Sequence, residues 1–300
     1  MNATATTFSI KQMATDFKEI TKAGLAISVV FSSIAGYLLG VEDFDSLQWS
    51  TLFMLAIGGY CMVGASNAFN QVIEKDLDAL MDRTKNRPVA SGRMAPNQAL
   101  FAASLLTIVG LILLYMINPK SAMFGAISIF LYTSIYTPLK TVTPLSVFVG
   151  AFPGAIPFML GWVAATNHFG IEAGTLFLIQ FFWQFPHFWA IGWFLYEDYE
   201  KAGFFMLPTG KKDTSTALQT ILYSVWLLVA SLLPCLGYTG KLFISPVAAG
   251  IVFLLGIWMV FYAIKLYQLR TAKAARTLML VSVSYITLLQ IVYITDKFLR

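Results

Sequence analysis

The stretch Asn67–Met94, NAFNQVIEKDLDALMDRTKNRPVASGRM, decides what kind of protein this chain can be, because it sets a row of polar and charged groups against the end of an apolar run. Asn70, Glu74, Asp78 and Asp82 recur at i, i+4 spacing. On a continuous helix they form one slowly turning ribbon of oxygen atoms, with Leu77, Leu80 and Met81 free to pack sideways. An unpaired acid deep in hydrocarbon costs roughly 2.5 to 3.5 kcal/mol, so such a ribbon belongs at a membrane rim or along a wet cavity. Its positive half comes at once in Arg83, Lys85, Arg87 and Arg93. Carboxylates and an amide hold hard cations, while guanidinium and ammonium groups grip phosphate oxygens, and the combination points to a metal-diphosphate site. Spacing alone equally admits a charged cytoplasmic loop that only obeys membrane topology rules.

Composition settles the class. In 300 residues, 58% are apolar and only 12% charged, which is the balance of a membrane protein rather than of a soluble core. The expected fold is all-α, a polytopic bundle of nine transmembrane helices in a single domain over 1–300, with Met1 to Thr21 as a short cytoplasmic lead-in. The spans are predicted at Lys22 to Gly40, Trp49 to Phe69, Gln98 to Ile117, Ala122 to Thr137, Pro144 to Ala165, Gly174 to Leu195, Ala217 to Leu236, Phe243 to Ile264, and Thr277 to Ile294. These runs lack the alternation of a membrane barrel. With the N-terminus in the cytoplasm, all of the 20 Lys and Arg residues except Lys120, Lys241, Lys297 and Arg300 fall on the inner face. That bias obeys the positive-inside rule and leaves the C-terminus outside. It also accounts for the net charge of +5 without a nucleic-acid partner. Cys61 and Cys235 lie in apolar runs with no CxxC or His pairing, which supports neither a disulfide framework nor a zinc site.

Two further inner segments carry polar groups. Tyr136-Thr-Pro-Leu-Lys140 offers a hydroxyl and an ammonium that can share one diphosphate, although Pro138 argues against a regular helix there. Without context, Lys140 reads as a lone topology anchor and Tyr136 as an interfacial aromatic. After the sixth span, Asp198 is the candidate for a second metal position, with Glu197 or Glu200 as helpers; an ordinary loop of mixed charge is the plainer reading. Inside that span, Gln184-Phe-Pro-His187-Phe-Trp places an imidazole beside a proline-loosened turn, where it can bind iron, move a proton or simply pack. Phe181, Phe182, Trp183, Phe185, Phe188, Trp189 and Trp193 crowd around it and can line a slot for a flat, greasy acceptor, with Trp183 the first candidate. His168 falls in an outer loop.

The order Asn70, Glu74, Asp78, Arg83, Thr84, Arg87, Pro88 resembles the first acidic motif of the UbiA superfamily of intramembrane prenyltransferases. Glu74 stands where that superfamily more often has Asp, and Asp76 is an alternative donor. Tyr136-x-x-x-Lys140 resembles a second motif, whereas Asp198 departs from the usual Asp-x-x-x-Asp, with Phe194 and Ala202 on either side. The stretches RTKNRPVASGRM, YTPLKTVTP and QFPHFWAIGWFLYEDYEKAGFFMLP together resemble the branch of the superfamily that farnesylates protohaem. Ala23-Gly24 after Thr21-Lys22 departs from it, because many relatives have Pro-Arg there. The resemblance implies a bacterial inner-membrane enzyme that uses Mg²⁺, takes farnesyl diphosphate as donor and haem b as acceptor, and passes its product to haem A synthase or terminal-oxidase assembly. It implies Asn70, Glu74, Asp78 and Asp198 as metal ligands, and Arg83, Lys85, Arg87, Tyr136 and Lys140 on the diphosphate. His187 and Trp183 would bind the acceptor. A relative with an aromatic acid or quinone precursor as acceptor would share the metal loops without needing His187, and a multi-pass transporter can also place charges at its midplane.

Overall fold

The computed structural model describes residues 10–300, and the part of the expected lead-in before Ile10 lies outside the described residues. An amphipathic helix, α1 (Ile10–Thr21), comes first, separated by Lys22 from α2 (Ala23–Gly40). Next come α3 (Trp49–Ile73), a short α4 (Lys75–Leu80) and α5 (Pro96–Ile117). α6 (Pro119–Phe130) runs through a π-helical turn, Leu131–Tyr136, into α7 (Thr137–Leu139). The chain continues with α8 (Leu145–Thr166), α9 (Ile171–Phe194), α10 (Tyr196–Lys201), α11 (Thr214–Leu232), α12 (Pro246–Leu269) and α13 (Ala272–Leu299). Among the described residues every regular element is helical.

Local chemistry sets several of the starts. Asn118, Asp213, Ser245 and Thr271 each accept the N–H of the residue three positions on, and Pro119 and Pro246 occupy first-turn positions where the missing N–H costs nothing. Pro138 has the opposite effect inside its segment: with no N–H to give the preceding turn, the helix widens to a π-turn before it. The Thr137 hydroxyl donates to the Tyr132 carbonyl (2.8 Å) across that widened turn.

The span count needs a correction. Among the described residues eight helices are long and apolar enough to cross a membrane, against the nine expected. The expected sixth span does form a helix of 24 residues, α9, but it is not one of the eight. Gln180, Gln184, His187 and its tryptophans carry polar atoms that lower its hydropathy. It lies among α8, α11 and α13 instead, where Gln184 donates to the Ala151 carbonyl at 2.8 Å. A helix wrapped by protein does not need a lipid-like surface.

Two glycines set the closest crossing. A Cβ on Gly36 would sit 2.0 Å from the Phe158 carbonyl oxygen, and one on Gly161 would sit 1.9 Å from that of Ser33. α2 and α8 therefore meet backbone to backbone, the contact that small residues permit in membrane bundles. A single apolar core runs through most of the bundle, while a satellite of Ile20, Ala68, Val89, Ala99 and Ala103 seats the end of α1 and the loop after α4.

Candidate active site

The expected ribbon of oxygens is not one continuous helix. α3 stops at Ile73, Glu74 has left helical geometry, and α4 ends at Leu80. The break turns Glu74 and Asp78 inward, to near-complete burial, while Asp82 goes to the surface. Of the three residues expected to pack sideways, Met81 is buried and Leu80 is exposed.

Each buried acid faces a cation from another segment. Lys140, just past α7, places Nζ 2.9 Å from Glu74 Oε1, and both side chains are buried. Arg87 donates from one guanidinium nitrogen to both oxygens of Asp78, at 2.8 and 2.7 Å. Thr84, fully buried, donates to the Asp78 carbonyl (2.8 Å) and holds the loop that carries Arg87. Asn70 Nδ2 reaches the Thr137 hydroxyl at 3.4 Å, tying α3 to the π-turn segment. Lys140 also lies over the Tyr136 ring (4.6 Å), so Tyr136 offers it a π face.

Other expected members sit elsewhere. Asp198, on α10, accepts the backbone N–H groups of Asp82 (2.7 Å) and Arg83 (3.2 Å) and so clamps the turn after α4. Lys85 pairs with Asp82 (2.7 Å) on the exposed rim. Lys201 also bonds Asp82, and the two lysines hold that carboxyl down at about 2. Arg83 leans on Tyr199, its guanidinium 5.6 Å from the ring centre. Arg93, grouped with the phosphate-gripping cations by sequence, instead docks α1 through Asp16 (2.9 Å) and Glu19 (2.5 Å).

Lys22 was not among the expected contacts, yet it joins the cationic side. It sits at the α1–α2 break with φ of 48°, in the left-handed region, and lines a cleft of about 700 Å³ with Lys18, Arg83, Asn86 and Arg87. Withdrawal from water, then Arg87 and Lys140, hold its ammonium down to about 7, against the opposite pull of Glu74. The signal in the sequence was its place beside an atypical Ala-Gly pair. Asn67 and Gln71 were also passed over: Gln71 donates to the Glu19 (3.1 Å) and Ile20 (3.2 Å) carbonyls, and Asn67 to that of Thr21 (3.3 Å). They fasten the end of α1, and so Lys22, to α3.

The residues present suit a small hard cation shared with a substrate phosphate. Among the described residues no three His, Cys, Asp or Glu side chains gather into a ready metal cage. Mg²⁺, however, is commonly held by one or two carboxylates plus substrate phosphates. Glu74 Oε1 fits that part: it is buried, and the nearby Lys140 ammonium lies off its hydrogen-bonding direction, so the oxygen has no aligned donor.

About two turns below the end of α9, His187 packs against α13. Its Nδ1 is 2.8 Å from the Ser282 hydroxyl, and Trp183 stacks on it with ring centres 4.7 Å apart. Trp189 and Trp193 are buried in the core with unpartnered indole nitrogens, so only part of the aromatic crowd surrounds the imidazole.

Comparison with known proteins bears on the fold and the family. Residues 29–287 match the UbiA prenyltransferase family. A protein named protoheme IX farnesyltransferase from Flavobacterium johnsoniae is 80% identical over 300 residues, covering all of both chains. One of the same name from Cytophaga hutchinsonii is 41% identical over 95% of this chain and 99% of its own. Among solved structures, a digeranylgeranylglyceryl phosphate synthase superposes with a TM-score of 0.78 at 17% identity, over 96% of this chain and 99% of that one. A UbiA homologue from Archaeoglobus fulgidus bound to GPP and Mg²⁺ superposes at 0.68 and 12% identity, over 95% of this chain and 100% of that one. The fold is shared at these distances, and with the family match over most of its length the chain is an integral membrane protein belonging to the UbiA prenyltransferase family.

Proposed function

We propose that this prenyltransferase moves the farnesyl group of farnesyl diphosphate onto a vinyl group of haem b, with addition of water, giving haem O and diphosphate. The observation that carries it is the pair of buried carboxylates, Glu74 and Asp78, each faced by a long basic side chain, Lys140 and Arg87, at one end of the bundle. Acids for a metal and cations for a diphosphate stand together there. The name shared by relatives along the full length of the chain supplies the acceptor.

Asn70, Glu74 and Asp78 would hold Mg²⁺, which when bound supplies positive charge to the departing diphosphate. Arg87 and Lys140, released from the acids, then grip phosphate oxygens together with Arg83 and Lys22, and Tyr136 backs Lys140. Asp198 braces the turn that carries Arg83, and Lys85 stays at the rim. As the C1–O bond of the donor breaks, its electron pair leaves with the diphosphate, and these cations stabilise that developing charge. The vinyl group gives its electron pair to C1. The cation left beside the porphyrin takes a hydroxyl from water, and the water's other proton is lost. His187 and Trp183 orient the haem, and the apolar wall keeps water from the allylic cation.

The positive-inside bias supports a bacterial inner-membrane setting with the metal loops in the cytoplasm and the C-terminus outside. Handover of the product to haem A synthase or terminal-oxidase assembly belongs to the same proposal.

The test is purified protein in lipid with haem b, farnesyl diphosphate and Mg²⁺, followed by mass analysis of the haem. Farnesylated, hydrated haem is expected, lost when the metal is chelated. Unmodified haem, with prenylation of an aromatic acid or quinone precursor in a parallel assay, would overturn the acceptor.

A further inference from the structure

We infer that Ser282 is a positioning residue that fixes the tautomer of His187, so that Nε2 carries the lone pair offered to the iron of a metalloporphyrin acceptor; the iron half of this rests on the haem reading above. The Ser282 hydroxyl has one proton and two neighbours. Its oxygen lies 2.6 Å from the Met279 carbonyl and 2.8 Å from His187 Nδ1. A carbonyl oxygen only accepts, so the hydroxyl proton goes to Met279, and the Ser282 oxygen receives a proton from Nδ1. Neutral imidazole carries a single N–H, which leaves Nε2 bare.

The same residue holds the ring plane. Trp183 donates its indole N–H to the Ser282 carbonyl (2.7 Å) and stacks on the imidazole at 19°. Hydroxyl and carbonyl of Ser282 thus grip two rings that lie i, i+4 on α9. Phe188 meets the imidazole edge-on, 5.4 Å between ring centres. Ser282 is fully buried while His187 is only partly so, and Nε2 lies across the ring from the Ser282 contact. A neutral histidine in water prefers its proton on Nε2, so this arrangement reverses the ordinary tautomer. Partners that orient a metal-binding imidazole in this way typically change metal affinity or activity by about 10- to 100-fold.

The chain has 2 histidines, so in a His168→Asn background the imidazole ¹⁵N spectrum of protein in lipid nanodiscs, without haem, reports His187 alone. The expected result is a proton on Nδ1. Ser282→Ala should move it to Nε2 and weaken ferric haem binding in an absorption titration by about tenfold or more, with farnesyl diphosphate affinity unchanged. Ser282→Thr, which keeps the hydroxyl, should restore both. Should Ser282→Thr fail to fold, the parent spectrum still decides. A proton on Nε2 in the parent, or an Nδ1 proton that survives Ser282→Ala, overturns the assignment to Ser282. If the tautomer moves as expected but His187→Ala leaves haem affinity and spectrum unaltered, the iron half fails while the tautomer assignment stands.

Discussion

Asp78 carries its charge in a place where water cannot help it, and Arg87 does the work of solvent with two hydrogen bonds. Removing one partner of such a buried pair leaves the other uncompensated, at a cost of about 3 kcal/mol or more. Asp78→Asn should therefore lower the thermal midpoint as well as nearly abolish turnover. Asp78→Asn with Arg87→Gln should recover much of the stability and none of the turnover, because the neutral pair no longer strands a charge but still lacks the proposed metal ligand. Recovery of turnover in the double variant would remove Asp78 from the metal. Lys22 gives a second test, through protons. Its ammonium is held down to about 7 from an ordinary 10.5, so at pH 8 the free protein holds it mostly neutral. A bound anion favours the charged form and raises that value. Diphosphate binding at pH 8 should then draw up to about one proton into the protein, an effect that fades as pH falls below 7 where Lys22 is already charged. Calorimetry in buffers of different ionisation enthalpy reads the uptake, and Lys22→Gln should erase it. Equal uptake in parent and variant would assign the proton elsewhere.

Among the elements, the α2–α8 crossing is the least forgiving. Gly161→Val forces the two backbones apart, since even a methyl would stand 1.9 Å from the Ser33 carbonyl oxygen. Overpacking of this kind costs about 1 to 3 kcal/mol, and because α2 starts directly after Lys22 the strain should reach the cationic cleft. Gly174→Ala is the matched control: nothing lies within 4 Å of its added carbon. Thermal melts in detergent should show a large loss for Gly161→Val and almost none for Gly174→Ala. Similar midpoints for the two would mean the crossing is softer than its geometry. At α9 the sequence pattern misled in an instructive way. Its length is that of a span, but α8, α11 and α13 wrap it, and Gln184 and Trp183 donate to the Ala151 and Ser282 carbonyls there while the indole nitrogens of Trp189 and Trp193 stay unpartnered.

For the molecule as a whole, the site is assembled from segments far apart in the chain, and in this arrangement its acids and cations neutralise one another. At the proposed site, Mg²⁺ alone would have to displace Arg87 and Lys140 from Asp78 and Glu74, and a diphosphate alone would have to pull them away from those acids. Together the two ligands exchange partners without leaving any charge bare. Each should then raise the other's affinity by a coupling of about 1 to 3 kcal/mol, or roughly 5- to 150-fold, equal in both directions. Titrating pyrophosphate with and without Mg²⁺, against the same measurements in Lys140→Gln, tests it. Because Mg²⁺ also binds pyrophosphate in solution, the diagnostic result is a coupling that shrinks in the variant; an unchanged coupling would place the exchange outside the protein.

Much of this was legible in the residues. Composition required a membrane protein, since 58% apolar residues cannot all be buried in a soluble core of 300, and the long apolar runs without alternation made it helical. The row Asn70, Glu74, Asp78 with Arg83 and Arg87 marked the candidate site, because hydrocarbon tolerates charges only where they serve or pair. What the tertiary structure decided was who pairs with whom. The break at Glu74 parts Asp82 from Asp78, Lys140 arrives from beyond a π-turn that Pro138 opens, and Asp198 is spent on backbone N–H groups of Asp82 and Arg83. Arg93 goes to α1, and Ser282, a serine unremarked in an apolar run, comes to rest on His187 from 95 positions away. Local spacing determines which face of one helix a residue occupies, but contacts across the bundle depend on how several helices cross, and that is set by packing of the whole chain at once.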